Sequence, residues 1–537
     1  MQSKLILNDN KNEDSSSLHD LVGLLDLNNI HLELKDYDFD KYLSHVSKYG
    51  LEVTWANILS YVKDNGQNEF LNTSNFGELY EAGLAEQDKG KKKKSGQYYT
   101  PLDVCNLMAR WLYEIDGNNV CDVGCGTGNL ILSYLDLIGR KKSLELLKHN
   151  RIYLYDFDRI AITIAKYSIA FLYGVNYLNN INVVYGDFLD DKITLPGNAK
   201  IISNPPYAKF SVINDRWLNT EIQNKTKELY AAFMEKIIKS GGTAVIITPY
   251  SFLGGNKFQP LREVMNNYNG YIVAFDNVPG NIFNGRKHGI FNTNTANSVR
   301  AAITVVENIP NLSGFKTTHL IRFKNKEREK LLKSEVLKNL LSKNRQIINN
   351  QNKMYARCHV ELEDCFLNWI SKSTSNVKDF SSENSGEYKL YMPNTCRYFT
   401  TASNKKLTRG GYMTITFNDL GKYNFMYCLI NSSLVYWWWR IYDGGITYPK
   451  GLLNNLPIFF DLLSNDDKKF FSAMASEMIS NEEKYIVTKL NAGVVQENIK
   501  FPKKYRDAIN RRLLDILSCK NRIDHFDLIH SNSFFSN

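Results

Sequence analysis

The chain has 537 residues, of which 43% are hydrophobic and 23% charged, and a formal net charge of +10. That length exceeds what one hydrophobic core ordinarily serves and predicts two or three domains, while the apolar content excludes a disordered chain. The excess of 66 Lys+Arg over 56 Asp+Glu fits a polyanionic partner. The eight cysteines are scattered, with no CxxC pair, which argues against a disulfide framework and against a zinc site. No run of about 18 apolar residues predicts a membrane-spanning helix, and the polar, acidic opening "MQSKLILNDNKNEDSSS" is not a signal peptide. A cytoplasmic location is expected.

After a solvated tail over residues 1–17, the stretch from Leu18 to Glu86 carries apolar residues at i, i+3, i+4 and i+7, so residues 1–94 are expected to be a helical segment. "DKGKKKKSG" at 88–96 reads as a charged loop. From Gln97 to Glu307 short apolar runs alternate with helical stretches. The runs are "NVCDV", "RIYLYDF", "INVVYGD", "AKIISN", "TAVIITP", "YIVAFDNVP" and "VRAAITVVE". This alternation predicts an α/β fold with a doubly wound, mostly parallel sheet, in which ligands lie at the carboxyl ends of the strands. The expected organisation is a catalytic domain over 95–310, a basic connector over 311–345 and an aromatic-rich, mixed second domain over 346–537.

Several of these strands end in motifs. "VCDVGCGTGNL" places Asp122 at a strand end, then Gly124, Gly126 and Gly128, then a helix start, a pattern that lets backbone approach a ligand closely. Asp156 and Asp158 end the next strand, where a carboxylate can accept both hydroxyls of an unmodified ribose. Asp187 ends the third, placed to accept from an exocyclic amino group. Each acid alone reads as a helix N-cap; three in succession point to an adenosine-containing cofactor across the strand ends. The fourth strand runs into "SNPPY". Pro205 and Pro206 fix φ and lack N–H groups, so a stiff bend presents the Asn204 amide oxygen and the Pro205 carbonyl as paired acceptors for one planar NH2 group. Tyr207 supplies an aromatic platform beside them.

"GCGTG", "SNPPY" and "SGQYYTPLDV" together resemble the S-adenosylmethionine-dependent amino-methyltransferases. Their order along the chain is similar to that of the DNA adenine-N6 methyltransferases of the gamma arrangement, whose target-recognition domain is C-terminal. The resemblance covers roughly 95–310 and implies S-adenosylmethionine as cofactor and duplex DNA as substrate. It further implies that Tyr99, Thr100 and Pro101 contact the methionine end of the cofactor and that Asp122, Gly124 and Gly126 cradle it. Asp156 would hold the ribose, with Asp158 its rival, and Asp187 with Phe188 would grip the adenine, on which Phe233 would pack. Asn204, Pro205, Pro206 and Tyr207 would hold a flipped-out base, sandwiched by Phe283 in "PGNIF", with Phe291 the rival second ring. No metal is required for such a transfer; a monomer is expected, with a cognate restriction endonuclease as a candidate partner.

In the C-terminal region the consecutive Trp437, Trp438 and Trp439 cannot share one helix face, so at least one is core. Arg397, Lys405, Lys406 and Arg409 are candidates for phosphate or base-edge contacts, although each alone reads as solvated surface. The alternatives are a methyltransferase acting on an RNA base or a protein glutamine amide, and a fused restriction enzyme whose nuclease would use Asp26, Glu33 and Lys35.

Overall fold

The structure is a computed structural model that describes residues 100–535, except 211–219, 284–298, 344–347, 350–353, 383–385, 397 and 492. The expected N-terminal helices, the lysine run, Asp26, Glu33, Lys35, Tyr99, Phe291 and Arg397 lie outside the described residues. Contacts divide the chain into two units. The first comprises Met1–Thr248, Phe283–Ala296 and Val305–Asn308, and the second Pro249–Ile282, Asn297–Thr304 and Ile309–Asn537. The division falls after Thr248, inside the 95–310 stretch expected to act as one domain.

The first unit opens with α1 (Leu102–Glu114), whose Val104, Leu107, Met108, Trp111 and Leu112 are buried on one face. Alternating strands and helices follow: β1 (Asn119–Val123), α2 (Asn129–Lys148), β2 (Ile152–Asp156), α3 (Arg159–Tyr173), β3 (Ile181–Tyr185), β4 (Ala199–Ser203), α4 (Leu229–Lys239) and β5 (Thr243–Pro249). The five strands stand in the order β3-β2-β1-β4-β5, and every neighbouring pair among them is parallel. β4 is buried at every position, as a continuous apolar strand covered on both faces must be. This is the doubly wound α/β sheet predicted from the alternation. The order reverses between β1 and β4, and there the connections leave to opposite sides and open a crevice at the strand ends. The register sets Val123 opposite Ser203. The glycine turn and the "NPPY" bend therefore begin side by side, at the reversal.

β6 (Asn269–Phe275) and β8 (Gly314–Thr317) are strands of the second unit and pair in parallel; β7 (Ala301–Val306), which belongs to that unit as far as Thr304, stands next to β6 in the order β7-β6-β8. Just past β6 lies Asp276, 1% exposed. It receives Arg300 Nε at 2.8 Å, Arg322 Nε at 2.9 Å and Arg440 Nη1 at 2.5 Å. Burial alone would raise the Asp276 carboxyl, but Arg440, Arg300 and Arg322 hold it well below the usual carboxylate range.

The remaining elements include α6 (Glu363–Lys372) and the antiparallel pair β9 (Tyr388–Pro393) and β10 (Tyr412–Phe417); a short helix at Gln259–Met265 is α5. They continue with α7 (Leu420–Ile430), α8 (Ser433–Tyr442), α9 (Asn465–Ser480), the ribbon of β11 (Ile486–Asn491) and β12 (Val494–Ile499), and α10 (Lys503–Ile516). All ten residues of α8 are buried, including Trp437, Trp438 and Trp439. A helix buried on every side is a core helix, and Trp369 of α6 stacks on Trp437 at 6.2 Å and meets Trp438 at 5.5 Å. All three tryptophans are core. α10 buries Tyr505, Ile509 and Leu513, spaced by four, so its basic residues cover only its outer side. All eight cysteines are unpaired and buried, in keeping with the scattered spacing. No helix among the described residues is long and apolar enough to cross a membrane, and no group of three or more metal-ligating side chains occurs among them.

Candidate functional site

The site is built at the carboxyl ends of β1, β2, β3 and β4. After β1, Gly124, Gly126 and Gly128 take φ of 69°, 51° and 87°, all in the left-handed region open to glycine. The turn is stitched to the end of β2: Gly124 N and Cys125 N donate to the Tyr155 carbonyl at 2.8 and 3.1 Å, and Gly126 N donates to Asp156 Oδ2 at 2.8 Å. A Cβ on Gly128 would stand 2.8 Å from Ala165 Cβ of α3, so only a glycine admits this close packing.

Asp122 is fully buried beneath the turn. Its Oδ2 accepts from Ile131 N at 3.1 Å, in the first turn of α2, while Oδ1 is buried without a hydrogen-bond partner. Burial pushes its carboxyl up to about 8; the Ile131 N–H works against that and the charge of Asp156 adds to it. Asp156 accepts from Gly126 N and, through Oδ1, from Asp158 N at 2.9 Å. Burial and then Asp158 push it up to about 7, against the N–H groups it accepts from. Asp158 accepts from Ala161 N at 3.1 Å and so caps α3. Of the two rivals, Asp156 is the one joined to the glycine turn. Asp187 spends Oδ1 on Leu189 N at 2.9 Å, which closes a local turn.

Phe188 and Phe233 come together at 5.1 Å between ring centroids, but both are buried, at 3% and 7% exposure. Lys236, one helical turn beyond Phe233, donates to the carbonyls of Phe188 and Asp190 at 2.6 and 2.7 Å and pins the loop after β3. Sequence reasoning passed over Lys236, although its i+3 spacing from Phe233 was the available signal. It also passed over Phe157, which stands between Asp156 and Asp158 and is 63% exposed. It is an apolar ring left in water at a strand end of this site.

At the end of β4, Ser203 Oγ donates to the Val123 carbonyl at 2.7 Å, tying the "NPPY" bend to the glycine turn. The two are close enough that a Cβ on Gly124 would lie 3.8 Å from Asn204 O. Asn204 Nδ2 donates to Thr100 Oγ1 at 2.8 Å. Thr100 is 5% exposed and precedes Pro101, whose carbonyl accepts from Val104 N and Cys105 N at 2.9 Å and starts α1. With Nδ2 committed to the threonine, Oδ1 is the acceptor face of the amide.

The Tyr207 hydroxyl donates to the Ile247 carbonyl at 3.3 Å. Its ring meets Tyr230 at 6.3 Å and Phe283 at 6.0 Å, with interplanar angles of 77° and 72°. The expected sandwich of two parallel platforms differs from this: Tyr207 and Phe283 meet edge to face, the geometry two rings prefer when nothing lies between them. Lys405, Lys406 and Arg409 stand in the second unit. Lys405 pairs with Glu483 at 2.5 Å, Lys406 lies over the Tyr412 ring at 5.1 Å, and Arg409 braces Asn498 and Thr395 at 2.8 and 2.6 Å.

The cradle suits an adenosine-bearing cofactor on the structure's own terms: three left-handed glycines open it, and a buried acceptor beneath it, Asp122 Oδ1, has no partner. Residues 72–334 match the sequence profile of the family "N-6 DNA Methylase". The matched stretch, just under half of the chain, contains the glycine turn, the acid-ended strands and the "NPPY" bend. Over 210 residues the chain is 28% identical to the type II methyltransferase M.PstI of Providencia stuartii, covering 35% of this chain and 39% of that protein. Over 231 residues it is 23% identical to the type I restriction enzyme MpnII methylase subunit of Mycoplasma pneumoniae, covering 39% and 41%. The aligned part thus spans about two-fifths of these curated relatives. Among solved structures, a DrdV–DNA complex aligns over 96% of this chain and 79% of its own, with 12% identity and a TM-score of 0.48.

Proposed function

We propose that this chain is a site-specific DNA methyltransferase that moves a methyl group from S-adenosylmethionine to N6 of an adenine flipped out of duplex DNA. The observation that carries the reading is the bend after β4. It fixes the Asn204 amide through Thr100 and holds it against the glycine turn, as an amine acceptor beside a cofactor cradle requires.

S-adenosylmethionine, when bound, supplies a methyl group on a sulfonium, ready for an in-line nucleophile. Asp122 and the turn of Gly124 and Gly126 would hold its methionine end, with Pro101 and Thr100 beside them. Asp156 would take the ribose and Phe157 one face of the adenine, with Asp187 and Phe188 closing its edge. Asn204 Oδ1 and the Pro205 carbonyl would accept hydrogen bonds from both N–H groups of the target amino group, drawing its lone pair out of the ring's π system and toward the methyl; one proton would leave the methylated nitrogen for solvent. Pro206 keeps the bend stiff, and Tyr207 stacks on the base, offsetting part of the few kcal/mol that unpairing costs. For the sandwich to form, Phe283 must turn from its edge-on contact as the base enters. The rate gain is then mainly positional. The residues C-terminal to the matched stretch would read the DNA sequence.

The test is transfer of a tritiated methyl group to duplex DNA, RNA and ribosomes by the full chain, with modified adenines located by sequencing. Tyr207→Ala should lower methylation of duplex DNA by more than 10-fold, roughly the stacking of one base, while cofactor affinity stays within about 2-fold. Transfer confined to RNA or to protein would overturn the reading.

A further inference from the structure

β11 and β12 form an antiparallel ribbon with Leu490 opposite Val495, Thr488 opposite Glu497 and Ile486 opposite Ile499. These alternate pairs share one face. At the base of that face Ile499 is 1% exposed and anchors the ribbon. At the tip, Leu490 and Val495 are 68% and 53% exposed, next to a turn in which Gly493 takes φ of 79°. A two-stranded ribbon gains little stability of its own in water. An apolar cross-strand pair at its outer end adds nothing to the core and leaves apolar surface in solvent.

The stem of the ribbon is basic. Lys489 is exposed on the ribbon itself, and Lys484 and Lys500 are exposed where it begins and ends. The segment carrying Lys405, Lys406 and Arg409 is bonded along β12: Glu497 N donates to the Thr408 carbonyl at 2.8 Å, Thr408 N to Glu497 Oε2 at 2.7 Å, and Arg409 Nη1 to Asn498 Oδ1 at 2.8 Å. Of the nearby acids, Glu497 is held by Thr408, Glu483 pairs with Lys405, and Glu482 is 3% exposed. The ribbon therefore carries an apolar pair at its tip, with Lys489 on its other face and lysines along its stem.

We propose that this ribbon is a DNA-docking element, which enters the major groove of a duplex with Leu490 and Val495 against thymine methyl groups and with Lys489 and Lys406 against the flanking phosphates. The inference rests on duplex DNA being the substrate. A two-stranded ribbon fits a groove about 12 Å wide, and the thymine methyl is the apolar feature displayed there. The lysines supply the sequence-independent attraction that holds such an element in place. Arg409, spent on Asn498 and Thr395, is a brace of the ribbon in this arrangement and not a phosphate contact.

The experiment uses the full chain and a plasmid fragment in which 5-iodouracil replaces thymine, so that iodine occupies the methyl position. After irradiation and digestion at lysine, the cross-linked peptide should be Leu490–Lys500. Leu490→Ser with Val495→Ser, both at exposed positions, should lower that cross-link and the affinity for the fragment by about 10-fold, in the range of a lost base contact, with S-adenosylmethionine affinity unchanged. Cross-links mapping only outside residues 484–500, or unchanged affinity in the double variant, would overturn the proposal. The two readings separate: methylation by a chain whose ribbon is silent sinks the ribbon alone, and ribbon cross-links without any methyl transfer sink the enzymatic reading alone.

Discussion

Thr100 acts on Asn204 through a single hydrogen bond, and that bond decides which atom of the amide faces the incoming amine. Thr100→Val removes the acceptor and frees the amide to turn. It should lower kcat about 10-fold or more, the scale of a lost orienting hydrogen bond, with a smaller effect on cofactor affinity. Thr100→Ser should restore turnover. If Thr100 served only the methionine end of the cofactor, as the motif alone suggested, the loss would fall on cofactor affinity instead. Asp122 offers a second measurement at this scale. Its folded pKa, about 8, lies above the ordinary carboxylate value, so its contribution to stability is complete at low pH and is lost as pH rises through about 8. Between about pH 4 and 8 the melting temperature of the wild type should fall more steeply than that of Asp122→Asn, and above about pH 8 the two should run parallel. Parallel curves below about pH 8 would show that Asp122 stays charged in the folded chain. These roles were only half legible in the sequence. The residue types and their order exposed Asn204 and Asp122, but the Thr100 bond joins positions 104 residues apart and exists only once α1 docks beside β4.

At the scale of elements, the glycine turn shows what spacing can and cannot convey. The pattern announced a close approach after β1, and three left-handed glycines are found there. It did not announce that Gly128 touches α3. Gly128→Ala would set a methyl 2.8 Å from Ala165 Cβ at a φ of 87°, and should destabilise the first unit by about 1–3 kcal/mol, as overpacking does, with loss of cofactor binding. A stable variant with intact binding would mean that α3 can move aside. Phe233 carries the opposite lesson. Its helix spacing reads equally as core or as cofactor contact, and the structure places it under Phe188, while Phe157 is exposed. α8 was legible in part: three adjacent tryptophans guarantee that one is inside, but only packing on every side, with Trp369 among its neighbours, explains why all three are.

For the molecule as a whole, the alternation of runs and helices disclosed the parallel sheet, because that period depends on local residues. The division after Thr248 was not legible, because it depends on which long-range contacts β6, β7 and β8 make. One such contact set is the cluster at Asp276, whose arginines come from positions 300, 322 and 440. Asp276→Ala would leave two buried guanidinium groups, Arg322 and Arg440, and the partly buried Arg300 without their carboxylate and should cost about 3–5 kcal/mol in urea unfolding; a change under about 1 kcal/mol would contradict the geometry. The second unit also buries His319 and His359, stacked at 4.0 Å. Burial and the nearby Arg440 hold His319 down to about 3, and burial, His319 and Arg440 hold His359 well below its ordinary value. Groups depressed in this way stabilise the fold above about pH 6.5 and lose that contribution as pH falls toward about 3. Acid should therefore unfold the second unit over that interval, and a His319→Asn variant should show a shallower dependence.

The four tryptophans shared by α6 and α8 also make the protein its own optical probe. Of seven indoles in the chain, four sit in this one cluster, and their stacked and edge-on rings lie close enough to exchange excitation energy. Emission at wavelengths characteristic of a dry environment should thus be dominated by the second unit. A red shift during heating or acidification should report its opening without any attached label, while Trp111 of α1 contributes a smaller signal from the first unit.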